Sequence, residues 1–359
     1  MNIGIVGLPQ SGKTTVFNAL TGAGIDIHTF SGSQEPNIAV VKVPDPRLDF
    51  LHEKFGGSKK RQIEIKYTDF APVQKSSAGG KGFPDKHIAE LRACDALLLV
   101  VRAFEDTSME QPTPEADLES LLLEFALADL QVVENRIQRI EEGEKKGSKE
   151  DRALLEHEKP IMQEYKKLLE EGKFAASLEI SKDDEKITRS YGLLTLKPII
   201  IVISIGEGQI GKIDLGKFRP LLPFPAPLME LAGRLEMDIA QLDPAEREEF
   251  MSDFGLTDPA SDRVIRETFS VLGLICFYTG AGGKETVAWP VTKGDNALAA
   301  AARIHSDIAR GFIRAEVVSY EDYVKFGDMA KIREAGKFRL EGKEYIVNDG
   351  DIMLFRFNV

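Results

Sequence analysis

Gly7-Leu8-Pro9-Gln10-Ser11-Gly12-Lys13-Thr14 fits the pattern G-x-x-x-x-G-K-[ST]. It follows Met1-Asn2-Ile3-Gly4-Ile5-Val6, a short apolar run with β-branched residues, and from Lys13 to Leu20 apolar residues resume at helical spacing. Strand, glycine-rich loop and helix in that order are the setting in which a main chain wraps a phosphate group. The glycines let the backbone curl tightly, so that successive N–H groups converge on phosphate oxygens. Lys13 supplies a point charge near the β and γ phosphates, Thr14 a hydroxyl suited to Mg²⁺, and the helix its positive dipole end. Gln10, Ser11, Gly12, Lys13, Thr14 and Thr15 are the expected phosphate-side contacts. The competing reading is a tight glycine turn with a solvent-facing lysine.

Working outward, further strands are expected at 38–43, 62–69, 96–102 and 198–204, with helical segments between several of them. That alternation predicts an α/β fold with a mainly parallel, doubly wound sheet. Between the last two strands the pattern changes. Leu123, Ala126, Leu130, Val133, Ile137 and Ile140 recur at 3,4 spacing, and a second stripe runs through Leu154, Ile161, Tyr165 and Leu168 after a polar turn at 143–148. Two antiparallel helices packed as a short coiled coil would bury both stripes; two amphipathic helices lying on the sheet is the alternative. Residues 205–272 return to the first domain, with helical patches at 228–242 and 262–272. From Leu274 β-prone runs dominate, at 274–279, 286–290, 312–319, 337–340, 345–347 and 352–357, broken by one helix at 297–308. The expected domains are 1–112 with 191–272, a helical insertion at 113–190, and a small α+β domain at 273–359.

The 359 residues are 43% hydrophobic and 29% charged, an ordinary composition for a folded protein. No basic n-region with an apolar stretch opens the chain, and no run approaches the ~20 apolar residues of a membrane span, so a cytoplasmic location is expected. Cys94 and Cys276 sit in apolar runs without metal-ligand spacing and read as buried hydrophobes. The net charge of −12 is uneven: residues 105–190 carry 23 acidic and 13 basic side chains, residues 276–359 twelve of each. The C-terminal part is therefore free to present a local basic face.

Gly7 to Thr21 as a whole resembles the opening of the YchF/Obg-like ATPase family, G-L-P-N-V-G-K-S-T-L-F-N-A-L-T, and Glu35-Pro36-Asn37 and Val43-Pro44-Asp45-Pro46-Arg47-Leu48 follow as they do there. At the other end Gly311 to Val317, Gly336 to Lys343, Asn348 to Asp351 and Phe355 to Val359 are similar to that family's C-terminal TGS region nearly residue for residue. The resemblance implies a P-loop G-domain of the translation-factor-related class, a coiled-coil arm inserted in it, and a TGS domain with a β-grasp fold. It also implies slow Mg²⁺-dependent hydrolysis of ATP or GTP and association with ribosomes or RNA.

Set against the family pattern, this sequence departs mainly around the nucleotide. The metal-side loop D-x-x-G reads Asp69-Phe70-Ala71-Pro72, so Asp69 remains for the metal shell while proline removes the N–H that the family glycine offers the γ-phosphate. Val73 follows, where a hydrophobic residue is normal for the family. Ser33 stands at the switch I threonine, with a hydroxyl able to reach Mg²⁺. The base-reading N-x-x-E becomes Ser204-Ile205-Gly206-Glu207, and Ala232-Gly233-Arg234 takes the place of the S-A-K-like loop. Ser204, Glu207, Ala232 and Gly233 are thus the expected base-side contacts, with weakened purine discrimination. Leu99, where many members have histidine, reads as core. Catalysis would rest on Lys13 and Asp69, metal binding on Thr14, Ser33 and Asp69.

Lys75, Lys81 and Lys86 with Gly79, Gly80 and Gly82 read either as a switch II segment or as a surface loop. Arg303, Arg310, Arg314, Lys337, Arg339 and Lys343 could form an RNA-facing patch, although equal numbers of acids lie nearby. His305 has no second histidine at ligand spacing. Two functions stay open: a weak NTPase, and a catalytically idle nucleotide-binding regulator acting through the arm and C-terminal domain. The oligomeric state is undetermined, with a monomer as the default.

Overall fold

A computed structural model describes residues 1–22, 36–73, 85–146, 149–253, 256, 258–281 and 283–358. The chain divides into two compact units, Met1–Val40 with Lys66–Val264 and Val41–Ile65 with Ile265–Val359. In chain order it begins β1 (Asn2–Gly7), α1 (Lys13–Thr21), β2 (Asn37–Lys42), α2 (Pro46–Phe55), β3 (Lys59–Arg61), β4 (Glu64–Asp69), α3 (Asp85–Arg92) and β5 (Ala96–Arg102). The long helices α4 (Pro114–Lys146) and α5 (Lys149–Glu170) follow, then α6 (Lys182–Arg189), β6 (Ile199–Ser204), β7 (Leu228–Leu231), α7 (Gly233–Gln241), α8 (Pro244–Asp253) and α9 (Ala260–Val271).

The first unit's sheet has the order β2-β4-β1-β5-β6-β7, and β4–β1, β1–β5, β5–β6 and β6–β7 are all parallel. Ala96-Leu97-Leu98-Leu99-Val100-Val101 and Ile199-Ile200-Ile201-Val202-Ile203 are buried throughout, as central strands covered on both faces must be. Leu99 is accordingly a core residue. Strand order reverses between β1 and β5, and the crevice at the carboxyl ends there is where such sheets bind ligands. The glycine loop leaves β1 at that point.

Two sequence readings need correction here. Leu228–Leu231, read as part of a helix running to residue 242, is strand β7 paired with Ile201–Ser204, and the helix starts only at Gly233. Leu, Met and Glu are good helix formers, so local propensity pointed the wrong way until pairing with a buried neighbour overrode it. In the arm, Leu123 and Leu154 lie exposed outside the stripes assigned to them. The buried face of α5 is Glu158, Met162, Tyr165 and Leu169, with Leu155 partly buried in line with it. Leu154 is one residue, about 100°, round the helix from that face.

Helices α4 and α5 run antiparallel, as Lys166–Glu134, Arg136–Glu158 and Lys159–Glu144 contacts require. Leu118, Leu121, Leu122 and Phe125 of α4 pack into the sheet's core cluster, whereas Ala126, Val133 and Ile140 pack with α5. One helix thus makes both of the packings that the sequence offered as alternatives. At the changeover Asp129 is fully buried, accepting from Arg92 at 2.6 Å and from the N–H and hydroxyl of Thr195 at 2.7 Å each.

The second unit continues with β8 (Leu274–Thr279), β9 (Glu285–Thr292), α10 (Ala297–Ile304), α11 (Ser306–Arg310), β10 (Phe312–Ser319), α12 (Tyr320–Phe326), α13 (Met329–Glu334), β11 (Arg339–Glu341) and β12 (Asp351–Phe357). Its mixed sheet has the order β11-β10-β12-β8-β9-β3. Ala297, Ala300 and Ala301 of α10 pack with Phe277, Val291, Phe312, Ala315, Val317, Met353 and Phe355, small helix residues admitting large strand ones. The single helix expected at 297–308 breaks at His305, whose extended backbone turns the chain and whose Nδ1 caps α11 by accepting from the Asp307 N–H. At 345–347 only an isolated bridge, Asn296 to Ile346, forms.

Residues 41–65, read from sequence as part of the first domain, pack within the second unit. Asp45 caps α2 by accepting from the Arg47 N–H, with Pro46 at the first helical position, and β3 pairs parallel with β9. Arg47 reaches Asp349 at 2.7 Å, Asp349 also accepts from the Cys276 N–H, and the Tyr278 hydroxyl donates to Asp45. The Val43 to Leu48 motif therefore serves packing of the second unit. Cys94 and Cys276 are both buried thiols. Among the described residues no helix is long and apolar enough to cross a membrane.

Candidate functional site

β1 ends at Gly7, where a Cβ would meet Ser11 Oγ and the Val100 carbonyl at 2.5 Å each. Only glycine lets the loop close this tightly over the neighbouring strand. Gln10 takes a left-handed φ of 59°, a strained setting for a side-chain-bearing residue, and the Ser11 N–H returns to the Leu8 carbonyl at 3.2 Å. Gly12, at φ 87° and ψ 16°, stands at the N-cap of α1, and no side chain caps that end. The helix's first N–H groups therefore point into the loop without a side-chain partner, the arrangement that receives an anion.

Lys13, Thr14 and Asp69 are all buried in this loop's lee. Thr14 Oγ1 donates to Asp69 Oδ2 at 2.9 Å, while Asp69 Oδ1 is buried and has no hydrogen-bond partner among the described residues. Burial lowers the pKa of the Lys13 ammonium, opposed by Asp69. Burial raises that of the Asp69 carboxyl, opposed by Lys13, Thr14 and Asn37. A buried cation beside a half-satisfied buried carboxylate fits a polyphosphate and a divalent ion, each of which would offset the burial of one of them. Beyond Asp69 the chain stays along β1, the Phe70 N–H bonding to Ile5 and the Val73 N–H to Gly7 at 3.0 Å. Pro72 sits between them and contributes no donor. Ser33, Lys75, Lys81, Gly79, Gly80 and Gly82 lie outside the described residues, as does the side chain of Lys86.

At the other end of the cleft, β6 ends at Ser204, which is buried. Its carbonyl accepts from the N–H groups of Ala103 and Phe104 at 2.8 and 3.1 Å, and its Oγ lies 2.7 Å from where a Gly12 Cβ would stand. Ser204 is thereby wedged beneath the phosphate loop instead of projecting past it. Glu207 is exposed. Ala232 and Gly233 are buried at the start of α7, and Gly233 meets Thr15 so closely that a Cβ would lie 2.9 Å from its methyl. The structure brings Gln10 to Thr15, Asp69, Ser204, Glu207, Ala232 and Gly233 to the ends of adjacent strands.

Two residues that shape this end escaped the sequence reading. Gln209 accepts from the Gly206 N–H at 2.7 Å and donates to the Ala103 carbonyl at 3.1 Å, closing the loop after β6. Phe104 sits 3.3 Å from the position of a Gly12 Cβ. Neither belongs to a motif, and an aromatic after a buried strand carries no signal of its own. A cavity of about 600 Å³ also opens along Leu8, Pro9, Gln10 and Ser11, and Ser11 Oγ is buried without a hydrogen-bond partner among the described residues.

Residues 2–136 match the family described as 50S ribosome-binding GTPase, and residues 274–358 match the YchF GTPase C-terminal family, described as a protein of unknown function. The chain is 38% identical over 369 residues to the ribosome-binding ATPase YchF of Bacillus subtilis, covering 100% of both chains. It is 39% identical to the ribosome-binding ATPase YchF of Haemophilus influenzae, covering 99% of each. The structure of the Schizosaccharomyces pombe YchF GTPase matches with a TM-score of 0.86 at 26% identity, over 99% of this chain and 97% of that one.

Proposed function

The chain belongs to the YchF family, and from that premise we propose that it is a cytoplasmic, ribosome-associated P-loop protein that binds ATP or GTP with Mg²⁺ and hydrolyses it slowly. The observation that carries the reading is the glycine loop itself. It is closed at Gly7 and Gly12 so tightly that no side chain fits, and it leads into an uncapped helix start beside buried Lys13, Thr14 and Asp69. Main-chain N–H groups and the Lys13 ammonium would hold the phosphates, and Thr14 Oγ1 with Asp69 would hold Mg²⁺. When bound, the metal supplies charge neutralisation at the phosphates.

For hydrolysis the chain offers positioning and electrostatics, and no described side chain stands out as a general base. Pro72 favours a second reading, a nucleotide-occupied but catalytically idle regulator, because the loop that should sense the γ-phosphate has lost its donor there. Phosphate release by the wild type and by Lys13→Ala separates the two. A rate at least tenfold above the variant supports the enzyme, and equal rates remove it. Sedimentation with purified ribosomes, with and without nucleotide, tests the association, and absence from the ribosome pellet under every nucleotide condition would remove it.

A further inference from the structure

The two faces of the second unit's sheet are covered differently. One carries Ala315, Val317, Met353 and Phe355 into the core beneath α10. On the other, the register sets Glu316 across from Leu354 and Val318 across from Ile352, so these four share a face. Side chains of α2, α12 and α13 stand around that face and leave a cavity of about 340 Å³ between them. This is at the lower end of small-molecule sites, which run to roughly 300–1,000 Å³. Its wall is apolar and largely aromatic: Phe55, Tyr323, Met329, Phe338, Ile352 and Leu354 line it. The rings of Phe55 and Tyr323 brace each other edge to face with centroids 5.3 Å apart, and Leu354 is left 42% exposed.

The charges lining this cavity leave one cation over. Glu316 is its single carboxylate among the described residues, and Arg356 donates to both carboxylate oxygens at 2.8 and 3.2 Å. Those bonds hold the Glu316 carboxyl below its usual pKa, with a smaller contribution from Arg333 nearby. Glu316 and Arg356 therefore balance each other. Lys54 leans towards exposed Glu53 at 3.4 Å and over the ring of Phe50. Arg333 makes no ion pair among the described residues, and its guanidinium lies 4.3 Å over the ring of Phe338. A cation over a ring is held far more weakly than one in a bidentate carboxylate pair, so this charge stays available. The basic patch read from sequence takes no part here: none of its members lines the cavity, and Arg310 and Arg339 are held by Asp307 and Asp351.

We propose that this cavity binds a free aromatic monocarboxylate, with its ring packed among Phe55, Tyr323 and Phe338 and its carboxylate on the Arg333 guanidinium. One spare guanidinium calls for one negative charge, and a planar carboxylate matches its fork of donors. The aromatic wall favours a ring over an alkyl chain. A cationic ligand would meet a carboxylate already doubly bonded. A neutral apolar molecule would fill the wall and cover Arg333 without pairing it, which costs free energy. The cavity lies wholly within the second unit, and the inference does not rest on the nucleotide cleft.

The test is isothermal titration of the full chain with indole-3-acetate, which should bind saturably at one site with a Kd at or below about 100 μM. Its neutral counterpart indole-3-acetamide should bind at least tenfold more weakly. Arg333→Gln should erase that margin, so that acid and amide bind alike, and Arg333→Lys should keep part of it. Phe338→Ala should weaken acid and amide together. Arg333 is exposed, so the fold is expected to survive its exchange, and Tm and ATP titration of the same preparations report separately on the fold and the cleft. Absence of saturable binding overturns the proposal, as does an acid-over-amide preference that Arg333→Gln leaves unchanged. Octanoate binding tighter than indole-3-acetate would overturn the aromatic assignment. A short N-acetylated peptide ending in tryptophan presents the same ring and carboxylate on a chain. It should bind no more tightly than the free acid, and a tenfold gain for the peptide would overturn the assignment to a free acid.

Discussion

On the function proposed above, Gly7 to Thr14 would grip a phosphate with main-chain N–H groups, whereas the segment from Ser204 to Glu207 would have to recognise a base with side chains. Set against the family motifs, the phosphate loop keeps its pattern and the base-side segment departs from it. At the phosphate end the geometry is set by where a Cβ cannot go: at Gly7 against Val100, and at Gly12 by its left-handed φ and by Ser204. At the base end a residue exchange leaves the strand intact and alters only what projects from it. Recognition built from backbone is therefore kept as long as the fold is kept, and recognition built from side chains drifts separately. Ser204 shows the difference, since its carbonyl still anchors Ala103 and Phe104 while its side chain is buried under the loop.

The most direct way to break this contrast is Lys13→Ala. Removing a buried ammonium from a polyphosphate site should cost about 3 kcal/mol, roughly a hundredfold in affinity, for ATP and GTP alike. Isothermal titration with both nucleotides checks it, and a loss confined to one purine would show that the base end still governs binding. Gly12→Ala comes next. Its left-handed φ of 87° costs an alanine about 1–2 kcal/mol, and its new methyl would sit 2.7 Å from Ser204 Oγ. About tenfold weaker nucleotide binding and a lower Tm are expected. Adding Ser204→Ala should recover part of the Tm loss, and no recovery at all would mean that the two ends do not touch in solution.

A smaller effect is expected from Pro72→Gly. The Val73 N–H bond to Gly7 keeps this stretch beside β1, so a glycine at 72 would add a donor without releasing its neighbour. Preference for triphosphate over diphosphate should rise about fivefold, near 1 kcal/mol for one recovered hydrogen bond. Parallel titration with ATP and ADP reads it, and an unchanged ratio would place the γ-phosphate contact elsewhere.

The same division between backbone and side chain decides what was legible beforehand. The glycine loop, its strand and its helix were readable because each glycine answers a conformational demand that sequence records. Central strands at 96–102 and 199–204 were readable from unbroken apolar runs. Leu228–Leu231 was not, because its residues favour helix and only the pairing with β6 says otherwise. In the arm's second stripe Tyr165 and Ile161 do pack in the core, but Leu154 was placed one residue off the buried face because Glu158, a buried charge balanced by Arg136 and Tyr191, does not look like a core position. Residues 41–65 were assigned to the wrong neighbour because membership of a unit depends on Arg47 meeting Asp349 some three hundred residues away, which no local pattern encodes. Ser33 was legible as a candidate metal ligand and lies outside the described residues.

The finest test of the contrast is Ser204→Ala alone. If the base end has lost its reading group, deleting this hydroxyl removes nothing that distinguishes adenine from guanine. The carbonyl bonds to Ala103 and Phe104 are main-chain and survive the exchange, and Gln209 still holds the loop through Gly206 and Ala103. The methyl of alanine is smaller than the side chain it replaces, so the phosphate loop above it is not pushed. Affinities for ATP and GTP should therefore move together and by less than about threefold, under 1 kcal/mol. A tenfold loss for one purine and not the other would show that the hydroxyl reads a base edge after all. In that case base recognition is assembled only when the nucleotide arrives.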